Sequence, residues 1–153
     1  MTRMPAESRV RAAKAAVSTA EPAGLHDNEL AAYCPDLDDW PSIWRYEQRD
    51  VAPGRKLVEY FKPFLCHLLS LGLSRKRLHG HRDNLWLLGS ELIRGLHETP
   101  RFRRQPTDQL VLAAVDDEGG PLIRHGTKEQ QRSFDATCRK LYRFLQEHNS
   151  SSP

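Results

Sequence analysis

Cysteine is scarce in this chain of 153 residues: Cys34, Cys66 and Cys138 are odd in number, far apart and never spaced as Cys-x-x-Cys. Neither a disulfide framework nor a zinc knuckle is indicated, and the three read as reduced, packed thiols. Long apolar runs are also missing, because His67, Ser70 and Gly72 interrupt the best candidate well short of the roughly 20 residues that cross a bilayer. The opening MTRMPAESRVRAAKAAVSTAEP lacks the apolar centre of a secretory signal. Its Arg, Ala and Ser content suits an organelle transit peptide or a loosely helical bacterial tail; the second reading is preferred, and the expected location is cytoplasmic, away from membranes. No alternating apolar run asks for a strand. There is no glycine-rich phosphate loop and no Gly-x-Ser-x-Gly, while Asp116, Asp117 and Glu118 read as a solvated helix end rather than a paired-carboxylate site. An enzyme is therefore not expected, nor a cofactor, a metal or a small-molecule substrate.

What is present is helical patterning and an uneven charge. The length suits one domain with loose ends, large enough to bury a core. The formal net charge is +3. Residues 1–52 carry six Lys/Arg against nine Asp/Glu, a net of −3, and 53–153 carry seventeen against eleven, a net of +6. The basic character thus sits in the leucine-rich part, which points toward a polyanionic partner.

Residues 1–24 are Ala-rich and read as a flexible or marginally helical segment. Residues 25–53 form an acidic and aromatic stretch in which Asp39 can cap a brief helix with Pro41 in its first turn. Trp40, Ile43, Trp44 and Tyr46 give it apolar weight, for a strap across the core or, alternatively, a platform for stacked bases. The first strong helix is expected over 54–71, from Leu57, Tyr60, Phe61, Phe64, Leu65, Leu68 and Leu71. Pro63 removes a backbone donor, so a kink near Glu59 or a helix beginning at Pro63 is expected. Gly72 should end it and Ser74 should cap a second helix over 74–97, with Leu78, Leu85, Leu88, Leu92 and Leu96 on one stripe. Gly89 lies near that stripe and implies close approach of another helix. A proline-bounded basic loop, ETPRFRRQP, precedes a short helix capped by Thr107. Thr127 and Gln130 form a capping box for a last helix over 128–148, carrying Phe134, Cys138, Leu141 and Leu145 on its apolar face. A disordered tail over 149–153 follows. The expected fold is all-α, a single four-helix orthogonal bundle over 54–148 with short accessory helices.

Three basic clusters stand out. Arg75, Lys76 and Arg77 occupy the first turn of the second helix, where the partial positive charge of the helix end disfavours cations, so an external anion is one reason for their placement. Arg132, Arg139 and Arg143 fall within about 40° of one another on the last helix, opposite its apolar stripe. Arg101, Arg103 and Arg104 make a loop cluster. Each set is equally describable as a solvated face. His79 and His81, two apart on a helix, diverge too far to share a metal, and Cys66 beside His67 has no identifiable third partner.

The run FKPFLCHLLSLGLSRKRLHGHRDNLWLLGSELIR, followed by SFDATCRKLYRFLQEH, resembles the N-terminal SAM-like core-binding domain of tyrosine recombinases and phage integrases. The resemblance covers about 57–148 and rests on the Gly-Leu-Ser turn, the apolar positions Leu78, Leu85 and Leu92, and the pattern of Thr137, Arg139 and Phe144. It implies helices that lie against duplex DNA as half of a C-shaped clamp. Candidate contacts are Arg75, Lys76, Arg77 and Arg82 near the second helix, with Arg139, Lys140 and Arg143 on the last, and the basic ridge read above adds Arg132. Members of that family carry a further catalytic domain with an arginine, a His-x-x-Arg and a tyrosine nucleophile. His79 to Arg82 matches only in spelling, and neither it nor Tyr142 is expected to act in catalysis. The expected function is non-catalytic binding of double-stranded DNA, as a mobile-element or recombination accessory factor. The alternative is a helical protein-interaction module, antitoxin-like or a complex subunit, docking through Trp40 and Trp44 or through Leu69 and Leu87.

Overall fold

A computed structural model describes the backbone of residues 22–150 and the side chains of residues 27–148. Among the described residues it is mostly helical and has no strand; an isolated bridge joins Asp116 to Gly119. The α-helices are α1 (Pro22–Tyr33), α2 (Trp40–Trp44), α3 (Val51–Leu69), α4 (Arg75–Glu98), α5 (Thr107–Ala114) and α6 (Lys128–Ser150). Single 3-10 turns cover Leu37–Asp39, Gln48–Asp50 and Pro100–Arg104. Residues 1–21 and 151–153 lie outside the described residues, so most of the expected N-terminal segment and the end of the expected tail do too.

The centre of the molecule is α3. Leu57, Val58, Phe61, Phe64, Leu65 and Leu68 recur at helical spacing and are all buried, and α1, α2, α4 and α5 pack on this helix. Pro63 sits within it on the exposed side. A start at Pro63 does not occur: α3 begins twelve residues earlier, at Val51. Six buried apolar side chains at about 1.5–3 kcal/mol each outweigh the roughly 3 kcal/mol cost of an internal proline.

Residues 25–53 share one buried cluster with the helices that follow, through Leu30, Tyr33, Cys34, Leu37, Trp40 and Trp44. The two tryptophans are buried, which removes them both as a base-stacking platform and as a docking surface. Much of the stretch is helical, and α1 starts at Pro22, where the segment 1–24 was expected to close. Asp39 does stand at the N-cap of α2, but its backbone is already helical there, continuing the preceding 3-10 turn, and its side chain makes no cap bond.

The turn between α3 and α4 contains Gly72 at φ 71°, a left-handed conformation that glycine adopts without steric cost. Ser74 then caps α4, accepting from the Arg77 N–H at 3.2 Å. The short helix α5 has Pro106 at its N-cap and no side-chain cap; Thr107 is its first helical residue rather than its cap. The basic ETPRFRRQP stretch is a 3-10 turn over Pro100–Arg104, not an open loop. At α6 the capping box is complete, with Thr127 N–H donating to Gln130 Oε1 at 2.9 Å and Gln130 N–H to Thr127 Oγ1 at 3.0 Å.

Gly89 explains how α2 fits against α4. A Cβ there would overlap the Trp44 indole, whose Nε1–H donates to the Trp86 carbonyl at 3.0 Å. The approaching element is thus one aromatic ring from a five-residue helix. Gly89→Ala is expected to lose about 1–3 kcal/mol through overpacking, more than the roughly 1 kcal/mol gained in helix propensity. Gly80→Ala, with nothing within 4 Å of the added carbon, should instead gain up to about 1 kcal/mol. Urea unfolding of both variants checks this; a stabilised Gly89→Ala would exclude the seated indole.

Candidate nucleic-acid interface

The basic residues of α4 and α6 are positioned by a polar seam between the two helices. Thr137 is buried in the middle of α6, among the apolar residues Phe134, Cys138 and Leu141, and it finds its partners on α4. His81 Nδ1 lies 2.7 Å from Thr137 Oγ1. Asn84 Nδ2 donates to Thr137 Oγ1 at 2.9 Å and to the Ser133 carbonyl and hydroxyl, each at 3.1 Å. The Thr137 hydroxyl accepts from Asn84 and keeps one hydrogen and one lone pair, so it either donates to His81 Nδ1 or accepts from it while donating to the Ser133 carbonyl at 3.5 Å, according to the ring tautomer.

This seam sets the phase of the cations. Arg77 lies one turn before His81 on α4, and Lys140 three residues after Thr137 on α6. Both bring positive charge to the His81 ring. Burial first, then Lys140 and Arg77, hold the imidazole below its ordinary value of 6.5. Arg75, Lys76 and Arg77 are exposed on the capped first turn of α4, and Arg132 and Arg143 are exposed on the outer face of α6. Two helices thus join at one basic cluster, Arg77–His81–Lys140.

Two candidates are occupied internally. Arg82 donates through Nη1 to the Tyr33 carbonyl at 3.0 Å and through Nε to Asp83 at 3.1 Å. Tyr33 ends α1, so Arg82 satisfies an open carbonyl where a cation also suits the helix dipole. Arg139 reaches the Glu118 carbonyl at 3.4 Å, leaning toward the acidic Asp116–Glu118 turn. The loop after that turn is held on α6, with Asp135 accepting from the Gly120 N–H at 3.0 Å and Gln131 bonding Pro121 and Ile123. The Arg132, Arg139 and Arg143 ridge is therefore uneven, with Arg132 and Arg143 exposed and Arg139 partly buried beside the Glu118 carbonyl. His79 is exposed while His81 turns to Thr137, so the pair shares no ligand position. The Cys66 thiol is pushed up by burial, then by Asp27 and Glu29, and the His67 ring stacks with Phe64 and tilts against Phe144.

The third basic cluster divides. Arg103 turns inward, its Nη2 2.5 Å from Asp50 Oδ1, and Asp50 is 0% exposed. Asp50 Oδ2 accepts from the N–H groups of Tyr46 and Glu47 at 2.8 and 3.0 Å. Burial alone would raise the Asp50 carboxyl; Arg103 and the two N–H groups outweigh it and hold the group below the ordinary carboxylate value. Glu47, Asp50 and His97 offer donor atoms within 4.8 Å of one another, the geometry of a metal trio. The Arg103 guanidinium already supplies the cation there, and the Tyr46 ring stacks on His97 at 4.6 Å, so the cluster reads as a staple between α4 and the turn before α3. Arg101 lies over the Phe102 ring and Arg104 is exposed.

Sequence reasoning missed His81, Asn84, Ser133 and Thr137 as a group. A signal was present: polar residues three apart on one helix and four apart on the other, each bordering an apolar stripe.

Asp50→Ala would leave Arg103 only the more distant Glu47 carboxylate at 3.7 Å, and a loss of about 3 kcal/mol is expected in urea unfolding; Asp50→Asn, which keeps an acceptor, should lose less. For His81 the folded value lies below the unfolded one near 6.5, so the unfolded chain takes up the proton first. The stability contributed by neutral His81 is then complete above that value and lost as pH falls through it toward the folded one. Thermal midpoints between about pH 7.5 and 5 should fall more steeply for the wild type than for His81→Gln; parallel curves would remove His81 from the balance. Comparisons of the chain with protein-family models, with curated proteins and with solved structures give no match.

Proposed function

We propose that this is a non-catalytic protein that binds double-stranded DNA, with the first turn of α4 and the outer face of α6 lying along the phosphates. The observation that carries the reading is the His81–Thr137 bond between α4 and α6, flanked by Arg77 one turn before His81 and by Lys140 three residues after Thr137. Arg75, Lys76, Arg132 and Arg143 extend this surface, each exposed and each able to release a counterion on contact with a phosphate. Arg82 and Arg139 support it by position, through their bonds to Tyr33 and Glu118. In this reading the segment 54–148 is a four-helix orthogonal unit of the SAM-like core-binding kind, half of a clamp, working as a cytoplasmic accessory factor of a mobile element or of recombination. Among the described residues no helix is long and apolar enough to cross a membrane.

A second reading, a protein-interaction module, is favoured by Ile43 and Tyr46, which are 56% and 53% exposed and three residues apart. Leu69 and Leu87 are partly buried against the core and offer less.

Fluorescence anisotropy with a labelled duplex separates the two. DNA binding predicts a plot of log affinity against log salt with a slope of about −3 to −5, for some three to five phosphate contacts. Lys140→Glu combined with Arg143→Glu should weaken binding at least about tenfold at low salt, as two contacts become repulsive. Absence of saturable binding at low salt would leave the protein-interaction reading.

A further inference from the structure

We propose that the basic cluster is proton-coupled: a phosphodiester seated beside Arg77 and Lys140 draws a proton onto His81, so duplex DNA is held more tightly as pH falls. The inference rests on the preceding reading of this surface as a phosphate contact and adds its regulation.

The hydrogen-bond geometry accommodates both states of the ring. In the neutral state His81 Nδ1 and Thr137 Oγ1 are hydrogen-bonded across 2.7 Å in either tautomer, while Thr137 Oγ1 accepts from Asn84. In the protonated ring Nδ1 is a donor, and Thr137 Oγ1 has a second lone pair to receive it. The hydroxyl hydrogen is then directed to the Ser133 carbonyl, 3.5 Å away. At most one rotor turns, and neither helix has to move. An imidazolium is thus sterically and geometrically admissible where it stands.

The unbound protein opposes that proton first through half-burial of the ring and then through charge. The charged groups acting on the ring are Arg77 from its own helix and Lys140 from the helix packed across it, with no carboxylate among the described residues to offset them. An arriving phosphate carries the missing negative charge. It neutralises the two cations that repel the proton and adds its own attraction for the imidazolium. Linkage makes the coupling reciprocal, so whatever factor the phosphate adds to proton affinity, the proton adds to phosphate affinity. One proton taken up at one ring limits the slope to about tenfold in affinity per pH unit. Histidine is the side chain whose ordinary value allows such a change near neutrality.

The test measures the dissociation constant of a fluorescein-labelled duplex from about pH 8 to 5.5 at fixed ionic strength, for the full chain and for His81→Gln, whose fold is checked by circular dichroism. The expected result is a wild-type affinity that rises about threefold or more over this range and a clearly flatter line for His81→Gln. In parallel, the His81 ring resonance of the wild type is titrated by NMR with and without saturating duplex, and its titration should move to higher pH when duplex is bound. Equal slopes together with an unmoved His81 titration would overturn the coupling while leaving DNA binding intact. No duplex binding at any pH would overturn the DNA reading itself, and the coupling with it.

Discussion

The Trp44 indole, seated over Gly89 and donating to the Trp86 carbonyl, fixes how closely α2 and α4 approach. Because α2 also packs on α3, that single ring sets the spacing between the central helix and the helix that carries Arg75, Lys76 and Arg77. The tolerance is small: an indole fits where one hydrogen replaces a methyl group, and protein interiors have little room to absorb a misfit. Everything on the outer side of α4 inherits its position from this contact. The polar seam with α6 then transfers that position to Lys140.

The long apolar periodicities made much of this legible in the sequence. Ser74 and the Thr127–Gln130 box marked two helix starts because cap chemistry is local: a side chain reaching three residues along its own backbone needs no knowledge of the fold. Pro63 misled, since its cost is local while the six buried side chains that outweigh it are committed by tertiary packing. The strap was read as lying across the core on Trp40, Ile43, Trp44 and Tyr46, of which the two tryptophans are buried while Ile43 and Tyr46 stay exposed. Asp36, Asp38 and Asp39 dominate its composition, yet Leu37, Trp40 and Trp44 between them decide its burial.

The basic clusters show where one sequence stops being informative about a site. Arginines 75, 82, 103, 139 and 143 are chemically identical in the sequence, and the fold gives them different employment. Arg103 neutralises a buried aspartate, Arg82 closes the end of α1, Arg139 meets a loop carbonyl, and Arg75 and Arg143 remain exposed. Charge counts could locate the basic half of the chain. They could not separate cations that hold the molecule together from those open to another molecule, because that division depends on carbonyls and carboxylates brought from some 21 to 53 residues away.

Six of the side-chain hydrogen bonds between helices and turns share one property, their reach along the chain. Tyr33 to Leu78, Trp44 to Trp86, Arg82 to Tyr33, Asn84 to Ser133, Asp50 to Arg103 and His81 to Thr137 span between 42 and 56 residues. Closing a first loop of that length is entropically expensive, and closing a second over the same stretch adds little. Once Tyr33 has met the Leu78 carbonyl, Arg82 already stands beside the end of α1; once Asn84 has met Ser133, His81 already faces Thr137. The bonds therefore act as a cooperative set rather than as separate increments, and the loss of any one of them is felt through its neighbours.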